Sequence, residues 1–194
     1  MGPGRAQKVI REGLAKGADR GIHIQEDEII ETDPLVISER FTDALKSENF
    51  DLILTGLQSD DTGMGQTGIL IGEMLGLSTA TLVIQTELSN DKIKVQRELE
   101  SGWFQWVELP LPASISIQSG LNTPRYPSLK GIMGAKKKEI KIVSTSSLTT
   151  GAKVQAIDKI FVPATSKQTE VIEGELDHVV GRIVEIMKSE IKVI

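Results

Sequence analysis

The chain has 194 residues, of which 39% are hydrophobic and 25% are charged, so it is long enough to bury one good core. Its 27 acidic and 22 basic residues leave a net charge of −5, which gives no general electrostatic reason to bind nucleic acid or an anionic membrane. The sequence has no cysteine, no apolar run near the roughly 18 residues that span a bilayer and no signal pattern, so we expect a soluble cytoplasmic protein with neither disulfides nor membrane insertion.

The first part of the chain alternates between predicted helices and strands. An amphipathic helix is followed by the short strand "RGIHIQ" and by a second helix whose N-cap is Asp33 or Thr32. The apolar run "FDLILTG", residues 50–56, has the length and composition of a parallel strand covered on both faces. A loop, a helix at residues 67–75 and the strand "ATLVIQ" come next. This alternation predicts an α/β protein with a doubly wound parallel sheet.

The second part of the chain follows a different pattern. "KIKVQREL" and "WFQWVEL" predict a β-hairpin, because apolar residues alternate on both arms around a glycine-containing turn, and "ASISIQ" predicts a further strand. The segment "LNTPRYPSLKGIMGAKKKEIKIV" contains two prolines and two glycines and predicts a long ordered loop. Residues 144–169 predict an extended linker, and "LDHVVGRIVEIMKSE" a final helix with an apolar stripe that packs on a partner. We therefore expect an α/β domain at 1–143 and an extended C-terminal arm at 144–194.

The stretch "LTGLQSDDTGMGQTGILIGEMLG" is the strongest candidate site. Ligands of parallel α/β sheets bind at the carboxyl ends of strands, and free N–H groups at a helix start favour an anion there. Asp60 and Asp61 suggest a metal instead, but hard cations usually need more oxygen ligands than one short loop offers. A phosphate-bearing ligand is therefore our preferred interpretation, and a capped turn without a ligand is the alternative. The loop is neither a Walker P-loop nor a complete dinucleotide fingerprint.

Other polar features favour structural roles. His23 and His178 are far apart in sequence and lack cysteine partners, so we expect them to be core or surface residues and no metal site. The three lysines 136–138 are typical of a solvated strand edge. No serine, threonine or lysine has a positioned base, so no catalytic residue is predicted.

Three blocks together resemble a known family. "DLILTGLQSDDTGMGQTGILIGEMLG", "KVQRELESG" and, above all, "LNTPRYPSLKGIMGAKKKEI" resemble the β subunit of electron transfer flavoproteins, a family that includes the nitrogen-fixation-associated β subunits. The resemblance implies a Rossmann-like domain of the adenine-nucleotide-hydrolase type, with a β-hairpin and a C-terminal arm that ends in a helix. It also implies an electron carrier without bond-making catalysis of its own.

The resemblance further implies partners and cofactors. The expected partner is an α subunit, with FAD at the subunit junction and AMP, or in bifurcating members a second FAD, held by the β subunit. Electrons would pass from flavin dehydrogenases such as acyl-CoA dehydrogenases to a membrane quinone oxidoreductase or another acceptor. A stand-alone adenine-nucleotide sensor of the universal-stress type shares the sheet and is the alternative from another class; it predicts no partner.

Site residues carry over position by position. The resemblance assigns a nucleotide-binding role to Gln58, Asp61, Thr62, Gly63, Met64, Gly65, Gln66, Thr67 and Gly68. Arg97 matches an arginine near the flavin, where it would stabilise negative charge, and an ordinary exposed cross-strand arginine is the alternative. Dehydrogenase recognition is assigned to Arg125, Tyr126, Pro127, Leu129, Ile132 and Met133. Leu129 is the expected anchor of that loop.

Two departures from the family pattern leave expectations open. Family members have a strand, a helix and a strand before the point that matches Met1, and the first strand contributes to the nucleotide pocket. We therefore expect half of the pocket, and an incomplete sheet. The loop sequence at 59–63 is a hybrid of the AMP-binding and bifurcating patterns, so AMP and a second FAD both remain possible ligands.

Overall fold

A computed structural model describes residues 1–27, 33–149, 151–162 and 169–193. The chain divides into two compact units, residues 1–157 and 158–194. Thr32, one of the two N-cap candidates, lies outside the described residues. The candidate site belongs to the first unit.

The first unit alternates between helices and strands over its first eighty residues, as predicted. Its elements are α1 (Gln7–Ala15), β1 (Gly21–Gln25), α2 (Pro34–Leu45), β2 (Leu52–Gly56), α3 (Thr67–Met74), β3 (Ser78–Leu88), β4 (Lys92–Glu98), β5 (Phe104–Pro110), β6 (Ala113–Ile117), α4 (Leu129–Ala135) and β7 (Ile140–Ser144). The start of α2 follows the local rule: the Asp33 side chain accepts a hydrogen bond from the Leu35 N–H at 2.9 Å, and Pro34 takes the first helical position. The prediction of Asp33 as N-cap is confirmed.

The strands form a mixed sheet and a separate pair. Five strands lie in the order β2-β6-β3-β4-β5, while β1 pairs with β7 alone. The pairs β1–β7, β2–β6 and β3–β6 are parallel, whereas β3–β4 and β4–β5 are antiparallel. The expected α/β class and the β4–β5 hairpin are confirmed. A wholly parallel sheet is wrong, because β3 runs on past its parallel segment and pairs with the hairpin.

The core of the five-stranded sheet comes from its central strands. Side chains that are at most 2% exposed are contributed by β3, β4 and β6: Val83, Ile93, Val95, Ala113 and Ile115. At one edge of the sheet, β2 bonds only to β6 within the described part of the chain. Leu54 of β2 is 60% exposed, so the expectation that this strand is covered on both faces is wrong for the described residues.

The proline- and glycine-containing segment is more regular than predicted. It contains helix α4 and strand β7, so its prediction as one long loop is wrong. The Ser128 hydroxyl caps α4 by accepting from the Gly131 N–H at 3.0 Å. Helix α4 packs on α1, where Arg11 donates to the Ala135 carbonyl at 2.6 Å and Lys138 to the Leu14 carbonyl at 3.1 Å. The last turns of α1 and α4 thus each have a carbonyl that accepts a hydrogen bond from a side chain of the segment packed against it. These bonds satisfy carbonyl groups that have no partner within their own helix.

The second unit contains the predicted final helix. Helix α5 spans Leu176–Glu185 and continues as a π-helical turn at Ile186–Glu190. Its apolar stripe remains open, with Leu176 75% and Val180 50% exposed. The helix itself is confirmed, and its packing on a partner stays a prediction. Across the described ranges, every helix is too short or too polar to cross a membrane.

Gly131 and Gly134 give a matched test of the α1–α4 contact. A Cβ added at Gly131 would overlap the Ala15 carbonyl oxygen, whereas one at Gly134 meets nothing within 4 Å. We expect Gly131→Ala to lower the free energy of unfolding by about 1–3 kcal/mol, because a backbone atom must move. Gly134→Ala should instead stabilise the protein by about 0.4–1 kcal/mol. Urea unfolding measures both, and equal effects would contradict the packing described.

Candidate functional site

A cleft of about 560 Å³ opens at the carboxyl end of β2. One wall is apolar and comes from α2, through Ile37, Phe41 and Leu45. Residues of the loop between β2 and α3 and of the first turn of α3 also line it. The cleft therefore lies where ligands of α/β sheets bind, and its size is within the range of small-molecule sites.

The loop is shaped by its glycines and hydroxyls. Gly63 and Gly65 have φ values of 60° and 64°, in the left-handed region that glycine adopts without strain. The Gly63 N–H donates to the Ser59 carbonyl at 3.1 Å, and the hydroxyls of Ser59 and Thr62 lie 3.0 Å apart. The loop is therefore a turn held by its own backbone and hydroxyl contacts.

Asp61 takes part in this turn. Its carboxylate accepts a hydrogen bond from the Thr62 N–H at 2.7 Å. The Ser59 side chain and this N–H together lower the pKa of Asp61 below its ordinary value, so the group is ionised at neutral pH. The described residues contain no cluster of three or more metal-ligating His, Cys, Asp or Glu side chains. The contacts of Asp61 thus favour a turn-shaping role.

The start of α3 fits a phosphate. Gln66 is its N-cap residue and makes no side-chain capping bond, so the first-turn N–H groups of α3 keep their capacity to bind an anion. Gly68 lies against Thr55 of β2, where an added Cβ would overlap the Thr55 side chain. The Thr55 hydroxyl is buried and has no hydrogen-bond partner among the described residues. In the part of the chain that the structure describes, uncapped N–H groups, a closely packed glycine and an unpaired hydroxyl therefore lie together.

Arg97 lies on the hairpin, away from this loop in sequence. Its Nε and Nη2 donate to the carbonyl and hydroxyl of Thr81 at 2.8 and 2.9 Å, and its Nη1 donates to the Gln105 side chain at 3.1 Å. The side chain is half-buried, unlike the freely exposed cross-strand arginine that was the alternative. These bonds fix the guanidinium beside the register shift of β3 against β6, where Leu82 has a φ of 60°. A place near a flavin stays a prediction.

The predicted recognition residues form an exposed apolar patch. Leu129, Ile132 and Met133 share one face of α4 and are 78%, 44% and 58% exposed, and Tyr126 just before the helix is 94% exposed. We call these four residues the recognition patch. Arg125 is exposed and Pro127 half-buried in the preceding loop. Leu129 therefore lies on the first turn of a helix rather than on an irregular loop.

Sequence reasoning missed three contributors to the loop's surroundings. Thr55 could have been found as the one hydroxyl in an apolar strand. Ser38 of α2, whose hydroxyl lies 3.3 Å from the Thr67 carbonyl, and Gln155, whose amide lies 3.3 Å from the Met64 sulfur, gave no local signal. Both come from elements distant in sequence. His23, in contrast, is the core residue expected: it is fully buried, and its Nε2 donates to the Gly2 carbonyl at 2.9 Å.

The fold and the loop define an α/β protein with a candidate nucleotide site. Residues 1–148 match the profile of the electron transfer flavoprotein domain. Three similar proteins bear the name electron transfer flavoprotein subunit beta. The one from Methylophilus methylotrophus is 33% identical over 97% of this chain and 75% of its own length. The Bacillus subtilis protein is 32% identical over 100% of this chain and 77% of its own length. The Homo sapiens protein is 38% identical over 76% of this chain and 58% of its own length.

The chain therefore belongs to the electron transfer flavoprotein β-subunit family, a family of electron-transfer carriers. The resemblance seen in the sequence is confirmed. The similarity covers both the loop after β2 and the recognition patch, since both lie within residues 1–148.

The contact between Gly68 and Thr55 can be tested by a mutant cycle. Gly68→Ala should lower the free energy of unfolding by about 1–3 kcal/mol, because α3 must move off β2. Thr55→Ala alone should cost little, since its hydroxyl has no partner among the described residues, and should recover part of the loss in the double variant. Gly56→Ala is the control, because an added Cβ there meets nothing within 4 Å. Additive effects in urea unfolding would contradict a direct contact.

Proposed function

We propose that the chain pairs with an electron transfer flavoprotein α subunit and carries electrons from flavin dehydrogenases, such as acyl-CoA dehydrogenases, to a quinone oxidoreductase or another acceptor. In this complex it shares an FAD with the α subunit and holds an adenosine phosphate at the loop after β2. The recognition patch docks the dehydrogenase. The chain itself makes and breaks no covalent bond in substrate.

The observation that carries the nucleotide part is the uncapped start of α3. Its N–H groups and helix dipole favour the negative charge of a phosphate, and Gly63 and Gly65 let such a group approach the backbone closely. The apolar wall from α2 offers a surface for the rest of the ligand. AMP and a second FAD share this adenosine phosphate chemistry, and either fits a site that recognises phosphate through backbone N–H groups.

Arg97 is the residue we assign to the shared flavin. The flavin, when bound, accepts and releases electrons and becomes more negative on reduction. A fixed guanidinium stabilises such a charge, and its hydrogen bonds to Thr81 and Gln105 remove the cost of ordering it later. Thr81 and Gln105 thus hold the guanidinium in position. The terminal nitrogens of Arg97 still have N–H groups that can donate to a ligand.

Docking through the recognition patch suits a carrier that must bind and leave. One apolar side chain that enters a pocket gives specificity through a small contact, and small interfaces are typical of transient electron-transfer encounters. Leu129, 78% exposed at the start of α4, has the exposure that such an anchor needs. The α1–α4 contacts hold this helix in position for the encounter.

Co-expression with an α subunit tests the proposal. We expect a yellow heterodimer with flavin absorption that accepts electrons from a dehydrogenase. A colourless chain that stays monomeric in the presence of the α subunit and binds nucleotide alone would contradict the carrier role and support a stand-alone sensor.

Leu129→Ala tests the docking role within that heterodimer. We expect the rate of electron transfer from the dehydrogenase to fall by about tenfold at limiting concentration, because an interface anchor contributes about 1–2 kcal/mol, while the absorption spectrum of the bound flavin stays unchanged. Leu88→Ala is the matched control, since Leu88 is 70% exposed but lies at the end of β3. Equal rates for wild type and Leu129→Ala would remove the patch from the proposal.

A further inference from the structure

A segment of extended chain after β7 is bonded along helix α2 by acidic side chains. Its backbone N–H groups donate to three carboxylates: Thr149 to Asp43 at 3.1 Å, Gly151 to Glu39 at 2.7 Å, and both Val154 and Gln155 to Asp33 at 2.6 and 3.0 Å. We call residue 149 with residues 151–157 the strap. It has no helix or strand of its own, so these bonds rather than a ladder order its backbone.

Asp33 makes the strongest of these attachments. It is 1% exposed, and its Oδ2 accepts from the two strap N–H groups while its Oδ1 caps α2 at Leu35. Burial opposes the charged form, but the backbone N–H donors outweigh it and hold the pKa of Asp33 below its ordinary value. Bonds from N–H groups to an ionised, buried carboxylate are among the stronger hydrogen bonds in proteins.

The strap also reaches the loop of the candidate site. The Gln155 side-chain amide lies 3.3 Å from the sulfur of Met64, which lines the cleft with Pro34, the neighbour of Asp33. The Ser38 hydroxyl of α2 lies 3.3 Å from the Thr67 carbonyl at the start of α3. The start of α2, the strap and the loop therefore form one contact network within the first unit.

We propose that Asp33 and Gln155 are positioning residues for the loop: Asp33 holds the strap, and the strap, through Gln155, holds the Met64 side of the cleft. Release of the strap then loosens the loop and weakens a phosphate ligand there. The ligand part rests on the proposed function, whereas the coupling of strap to loop does not. The same contacts link the candidate site to the part of the chain that follows β7.

Asp33→Asn separates the two roles of this side chain. An asparagine keeps one oxygen and caps helices as well as aspartate does, so α2 can retain its cap. With that oxygen on Leu35, the NH2 group takes the place of Oδ2, and it donates and cannot accept hydrogen bonds from Val154 and Gln155. Asp43→Asn is the matched control, because Asp43 accepts from Thr149 of the strap and lies at the opposite end of α2. Val154→Pro removes one strap donor without touching α2.

Amide hydrogen exchange of the 194-residue chain measures the coupling. The reporter in the loop is the Gly63 amide, which donates to Ser59. In Asp33→Asn and Val154→Pro we expect Gln155 and Gly63 both to exchange about tenfold faster or more, as expected when a bond to a charged group is lost. Asp43→Asn should leave Gly63 unchanged. Faster exchange at Gln155 with an unchanged Gly63 in both variants would overturn the proposal.

Titration with AMP then separates this inference from the proposed function. If wild type binds AMP, we expect the Kd to rise about five- to tenfold in Asp33→Asn and in Gln155→Ala, and to stay within twofold in Asp43→Asn. An unchanged Kd in the first two variants would overturn the ligand part. If wild type does not bind AMP, the same variants are titrated with FAD. If wild type binds neither, the nucleotide part of the proposed function fails, and the exchange rates of Gly63 still decide whether the strap holds the loop.

Discussion

The close packing of helix α3 on the sheet is the constraint on which the candidate site depends. Gly68 lies against Thr55 of β2. One turn later, a Cβ added at Gly72 would lie only 2.9 Å from the Cβ of Ser114 in β6. Two glycines at i and i+4 face the same side of a helix, so they let its backbone approach two neighbouring strands together. This approach brings the uncapped first turn of α3 to the carboxyl edge of the sheet, where the glycine loop and the cleft meet.

The remaining functional features are fixed by contacts of their own. Arg97 is tied to β3 through Thr81, and the recognition patch is held by the packing of α4 on α1. The strap ties the loop to the start of α2 through Asp33. Under the proposed function this separation is useful, because the proposed docking surface can bind and leave while the groups proposed to hold cofactors keep their geometry.

Much of the fold could be predicted because local rules and tertiary structure agree in these segments. Asp33 followed by Pro34 predicts the start of α2, and alternating apolar residues predict the β4–β5 hairpin. The prediction of an irregular segment failed at α4, because its helix depends on a Ser128 cap and on packing against α1, 110 or more residues earlier in the chain. The exposure of Leu54 could not be predicted either, since an apolar strand has the same sequence pattern at the edge of a sheet as in its centre.

The candidate site was predictable to the extent that it is local. The glycines and the helix start lie within one stretch, so their convergence follows from sequence. The unpaired Thr55 hydroxyl and the approach of Gln155 to Met64 depend on which strands and segments become neighbours, and no spacing encodes that. Arg97 was recognised by resemblance alone, and its bonds to Thr81 lie beside a register shift between β3 and β6 that no local sequence pattern predicts.

Nucleotide content of the purified heterodimer tests the central claim, a phosphate site at the loop after β2, most directly. After denaturation, chromatography should release from wild type one FAD together with one AMP, or two FAD, per heterodimer. Gly65→Ala, which forces alanine into a φ of 64°, should lose the AMP or the second FAD and retain the shared FAD. A wild-type heterodimer that releases one FAD and no further nucleotide would contradict the claim.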